Sequence, residues 1–125
     1  MLTLAALLAV VTGLVHSVLG ERLIFRHLRD ASLVPSRPAP PLQARHVRIL
    51  WATWHLASVL AWALAGLLWA LARNPGAPLP ADWVLSACAA GFLAGAVLVL
   101  VGTRGRHPGW IALAIVAGLS MAAAG

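Results

Sequence analysis

Residues 49–71 read ILWATWHLASVLAWALAGLLWAL, an apolar run with no Asp, Glu, Lys or Arg and one histidine, His55. A helix that crosses a bilayer needs about 20 mainly apolar residues. Its internal hydrogen bonds satisfy every backbone group where no water can do so. This run meets that length, and three others accompany it at residues 2–24, 81–102 and 109–124. The last is short and spans with little tilt or by thinning the bilayer. The chain therefore reads as all-α, a single domain over residues 1–125 forming a polytopic four-transmembrane-helix bundle. Composition agrees, since the chain is 62% hydrophobic and only 10% charged, against about 25% charged in soluble domains. The first run has no basic residue ahead of it and carries its charges behind it, so it reads as a retained helix and not a secretory signal.

Charge gives the orientation. All nine basic residues are arginine against three acids, a formal charge of +6. Arg22, Arg26, Arg29, Arg37, Arg45 and Arg48 fall between the first two helices, and Arg104 and Arg106 between the last two. Arg73 stands alone on the other side. Excess arginine in short loops marks the cytoplasmic face, which predicts a cytoplasmic Pro/Arg-rich loop over 25–48, both termini outside, and residence in the cell (inner) membrane as a multi-pass protein. This placement makes the lipid bilayer the partner of the basic residues and argues against nucleic acid. Arg22, Arg26 and Arg29, at helical spacing, suit anionic headgroups.

The tryptophans fit the same boundaries. Trp69 and Trp83 flank the outer turn at Asn74-Pro75-Gly76, while Trp51 and Trp110 lie near the cytoplasmic ends as an aromatic belt. Pro35, Pro38, Pro40 and Pro41 preclude a continuous helix between the first two spans. Cys88 is the only cysteine, so no intramolecular disulfide forms, and it reads as a small buried side chain. Ala87, Gly91, Gly95 and Gly102 place small residues along one face of the third helix, which permits close helix packing within the chain. The third and fourth helices carry little side-chain chemistry and read as scaffold.

The chemistry sits on the first two helices, in His16-Ser17-Val-Leu-Gly20-Glu21-Arg22 and Arg45-His46-Val-Arg48-Ile-Leu-Trp51-Ala-Thr53-Trp54-His55-Leu-Ala-Ser58. His16 stands six residues above Arg22 and His55 seven above Arg48, depths of roughly 9 and 10.5 Å at 1.5 Å per residue. Ionisable groups at such depth default to a functional site facing the bundle interior. At 100° per residue, Arg48, His55, Trp62 and Trp69 form one stripe, with Trp51 and Ser58 beside it. Gly13, His16 and Gly20 share a face of the first helix. Glu21 lies about 140° from His16, which disfavours a direct contact between those two. Glu21 and Arg48 match in depth and are expected to pair if their faces agree.

A polar pocket between the first two helices, near the cytoplasmic side, follows from this. Its expected ligand-holding residues are His16, His55, Arg48 and Glu21, lined by Ser17, Gly20, Trp51, Ser58 and Trp62. Several chemistries suit it. His16 and His55 offer axial ligands for haem, with Arg22 and Arg48 toward the propionates. His16, His55 and Glu21, with His46, offer ligands for a transition metal. Histidine and glutamate together suit a proton relay in a proton-coupled transporter or channel subunit acting as an oligomer. The same residues also suit a buried network that fixes helix register in a non-enzymatic assembly or interaction protein within a larger membrane complex. No nucleophile, base and orienting group stand at a recognisable spacing, and enzymatic activity is left open.

The pattern His-Ser-x-x-Gly-Glu-Arg closing the first helix, with Arg-His-x-Arg-x-x-Trp-x-x-Trp-His on the second, resembles small bacterial four-helix integral membrane proteins of uncharacterised function. The resemblance covers the whole chain through His16, Ser17, Gly20, Glu21, Arg45, Arg48, Trp51 and His55. It implies a similar helix hairpin and carries no activity or catalytic role.

Overall fold

The computed structural model describes residues 1–125 and is helical throughout, without a strand. Its elements are α1 (Leu2–Leu23), a single 3-10 turn (Phe25–Leu28), α2 (Ala44–Arg73), α3 (Ala81–Thr103) and α4 (Gly109–Ala124). Helices α1, α2 and α3 are long and apolar enough to cross a membrane. The 16 residues of α4 are apolar but shorter. They rise about 24 Å, against a hydrocarbon core of about 30 Å.

Three helix boundaries lie within a residue of the apolar runs, but α2 starts well before its own. Hydropathy places that start at Ile49, whereas the helix begins at Ala44 and takes Arg45, His46 and Arg48 into its first turns. The cause is a polar cap. The Gln43 carbonyl accepts the His46 N–H at 2.9 Å, while the His46 ring accepts the Gln43 N–H at 3.3 Å. Residues 44–48 expected in the loop are therefore helical, and the connection shrinks to 24–43.

The extensive helix contacts run in chain order, α1 on α2, α2 on α3 and α3 on α4. Glycines let them approach. A Cβ placed on Gly91 would come within 2.8 Å of the Ala63 Cβ, and one on Gly102 within 2.9 Å of the Ala52 Cβ. The small-residue face of α3 is thus its seam with α2 inside one chain. Only 20 of 125 residues are buried, and leucines and valines lie exposed all around α1. Such a surface is stable where the solvent is hydrocarbon.

The tightest packing lies at one end of the array. Phe25, Val34, Trp51, Ala52 and Val99 form its buried cluster, and Pro35 is buried beside Val34. The connection therefore folds back over the ends of α1, α2 and α3. It is tied down where the Leu28 carbonyl accepts the N–H groups of Ser36 and Arg37, at 3.1 and 2.9 Å. Between α3 and α4 the chain turns through Arg104 at φ 54° and Gly105 at φ 72°. Gly105 N–H donates to Leu100 O at 2.8 Å and closes the helix.

Candidate functional site

Ser17 and Glu21 are four residues apart on α1, and Trp51, His55 and Ser58 are spaced four and three apart on α2. Each set occupies one helical face. Packing of α1 against α2 brings the two faces together. Oε1 of Glu21 accepts the indole N–H of Trp51 at 2.6 Å and lies 3.0 Å from His55 Nε2. Oε2 accepts from a terminal nitrogen of Arg29 at 2.5 Å. On the far side of the imidazole, His55 Nδ1 lies 2.8 Å from Ser17 Oγ, which in turn lies 2.9 Å from Ser58 Oγ.

The result is one unbroken chain, Ser58, Ser17, His55, Glu21, Arg29. It runs from a buried hydroxyl, 2% exposed at Ser58, to a carboxylate and guanidinium each about a quarter exposed. Trp51 meets the His55 ring at 63° with centroids 4.8 Å apart, and Phe25 covers it from the folded-back connection at 5.9 Å. Its aromatic walls lower the local dielectric, which strengthens each polar contact within them.

His16 belongs to a different arrangement. Its ring stacks on Trp54 at 4.3 Å and 7°. Its Nε2–H donates to the Trp54 carbonyl at 3.2 Å, while Trp54 Nε1–H donates back to the His16 carbonyl at 3.0 Å. Trp62 repeats half of this clamp, donating to Val10 O at 3.1 Å. Both indoles occupy glycine notches. A Cβ on Gly13 would stand 2.5 Å from Trp62 Nε1, and one on Gly20 would overlap the Trp54 ring.

Of the residues expected at the site, Glu21, His55, Ser17, Ser58 and Trp51 therefore converge. His16, Gly20 and Trp62 lie at the α1–α2 seam but outside the chain. Arg48 points away from Glu21: its Nε–H donates to Gly102 O at 2.9 Å on α3. The carboxylate's cation is instead Arg29, assigned from sequence to lipid headgroups. His46 is held at the α2 cap and hydrogen-bonds with Arg45. His16 and His55 match in depth, yet their rings engage different partners and share no open space. The notches at Gly13 and Gly20 are filled by the indoles of Trp62 and Trp54. No three His, Cys, Asp or Glu side chains converge as a metal-ligand set. His55, Ser17, Glu21 and Trp51 are hydrogen-bonded to one another.

The Ser17–Glu21 face was legible from the four-residue spacing. Glu21 lies on a different face from His16, whereas Ser17, expected in the lining, stands four residues from Glu21 on the face they share. Comparisons with protein-family models, curated proteins and solved structures give no match for this chain.

Proposed function

We propose that the protein is a multi-pass protein of the cell (inner) membrane, crossing four times with both termini outside, whose α1–α2 site takes up and releases a proton. The hydrogen-bond chain ending at Glu21 and Arg29 carries this reading. With His55 neutral, Nε2–H donates to Glu21 and Nδ1 accepts from Ser17, whose oxygen accepts from Ser58. With His55 protonated, Nδ1–H donates to Ser17 and Ser17 donates to Ser58. The two states differ by one proton on Nδ1, and rotation of the two hydroxyls keeps the same contacts in each, because a hydroxyl is both donor and acceptor. A proton reaching Glu21 weakens its hold on Arg29 and so on the connection that covers the site.

Infrared difference spectra of the detergent-purified protein between acidic and neutral pH test this. The expected result is a carboxyl band that disappears in Glu21→Gln and whose midpoint moves in His55→Gln, with circular dichroism unchanged. A wild-type difference spectrum lacking any Glu21-dependent band sinks it.

A second reading is supported by the internal satisfaction of the same groups: a register lock in an assembly protein that binds no cofactor and travels with a larger membrane complex. It predicts that Ser17→Ala and His55→Gln change stability alone, and that the wild type co-purifies with partners from mild detergent.

A further inference from the structure

A second polar site lies on the other flank of α2. A cavity of about 400 Å³ opens between the start of α2 and the α3–α4 turn, lined by Arg45, Arg48, Arg104, Arg106, His107 and Ser36 among others, with no acidic residue on its wall. Its volume falls within the range of small-molecule sites. The three acids of the chain do not serve it: the ion pairs made by carboxylates are those of Glu21 with Arg29 and His55.

Arg48 makes the cavity more than a basic surface. It is 8% exposed, its Nε is fixed by Gly102 O, and neither terminal nitrogen has a protein partner. Arg48 lines the cavity, and its terminal nitrogens are not sealed within the protein. A guanidinium with so little exposure is costly without a counter-charge. Arg104 adds a second sign, since it occupies the left-handed region at φ 54°, a conformation that ordinarily selects glycine or asparagine. Arg104 holds this strained conformation at the rim, where glycine would relax the turn.

Beside the cavity, across the shared residues Ile49, Thr103 and His107, lies an apolar groove of about 310 Å³ along α2, α3 and α4, lined further by Ala52, Leu56, Val99 and Leu113. A multiply cationic head space beside an apolar slot matches an anionic phosphate ester bearing a hydrocarbon chain. We infer that this site binds the phosphate of an anionic phospholipid, held by Arg48, Arg104 and Arg106, with an acyl chain lying along the α2–α4 groove. Bidentate donation by guanidinium suits phosphate better than a diffuse headgroup field does.

Native mass spectrometry on the full-length protein in neutral detergent, with phosphatidylglycerol, phosphatidylcholine or inorganic phosphate added, tests the inference. One phosphatidylglycerol is expected to remain bound at collision energies that strip phosphatidylcholine. Arg104→Gln/Arg106→Gln should cut its occupancy at least tenfold, while Arg22→Gln/Arg26→Gln, which lowers the charge equally on exposed residues away from the cavity, should leave it unchanged. Both double variants are compared by circular dichroism for retained helix. Stable adducts of inorganic phosphate that depend on Arg104 and Arg106, without a retained lipid, overturn the lipid in favour of a free phosphate ligand. Equal phosphatidylglycerol loss from both double variants, or retention in both, overturns the site.

Discussion

At His55 one imidazole joins four helical residues, and the contribution of each neighbour follows from what its removal strands. Ser17→Ala removes the bonds to both His55 Nδ1 and Ser58 Oγ. Ser58→Ala removes only the second. Interhelical hydrogen bonds in membranes average about 0.6 kcal/mol and reach about 1.7, so Ser17→Ala is expected to cost about 1–2 kcal/mol and Ser58→Ala less than half of that. Reversible unfolding in mixed micelles checks the order, and equal costs would mean that Ser17 does not link the two. Sterics at the neighbouring notch make a sharper demand. Gly20→Ala drives a methyl into the rigid Trp54 ring, which cannot swing aside without surrendering its bond to His16 O. Overpacking of this kind costs about 1–3 kcal/mol. Gly66→Ala, with nothing within 4 Å of the added Cβ, should stay within about 0.5 kcal/mol of wild type. Matching losses at the two glycines would show that Trp54 is not seated in the Gly20 notch. Much of this was open to sequence reasoning, since the spacings of Ser17 and Glu21, and of Trp51 and His55, are helical repeats. The partner of Glu21 was not, because Arg48 has a long side chain whose reach to α3 is set by packing and not by its place on the helical wheel.

The folded-back connection is the element whose behaviour hydropathy could not foretell. Its apolar residues Phe25, Val34 and Pro35 are scattered through a proline- and arginine-rich stretch, so they leave no periodic signal. They become core only when the Leu28 carbonyl gathers Ser36 and Arg37 and turns the chain back. The early start of α2 was hidden for a related reason, its cap being polar and outside the apolar run. In contrast, α3 and α4 were legible almost to the residue, because their ends coincide with the ends of their apolar runs. Phe25 is 2% exposed and meets both Trp54 and His55. Phe25→Ala is therefore expected to open the hydrogen-bond chain to water as well as to destabilise by about 3–5 kcal/mol. Hydrogen–deuterium exchange of the segment 17–23 should accelerate in Phe25→Ala and return toward wild type in Phe25→Leu, which refills most of the volume. Unchanged exchange in Phe25→Ala would mean that the connection does not shield the site.

At the scale of the whole molecule, the number of crossings turns on α4. Three helices are long enough to span by length and composition, and α4 is shorter by six residues or more. Its rise of about 24 Å falls short of an average hydrocarbon core by about 6 Å, a mismatch that local thinning accommodates at fractions of a kcal/mol per Å. Against that cost stands a helix with no charged residue among Gly109–Ala124. Each apolar residue left in water would forgo its own transfer free energy. On the proposed four-crossing topology insertion outweighs this mismatch, and Arg104 and Arg106 at the entrance of α4 stay with the other basic loop. Reporter fusions at Gly125 separate the two topologies. With four crossings and a cytoplasmic basic end, alkaline phosphatase fused there should be active and green fluorescent protein dark, while fusions at Arg106 should show the reverse. If fusions at Gly125 and Arg106 report the same side, α4 does not cross. The groove between α2, α3 and α4 would then open at the interface and not within the bilayer.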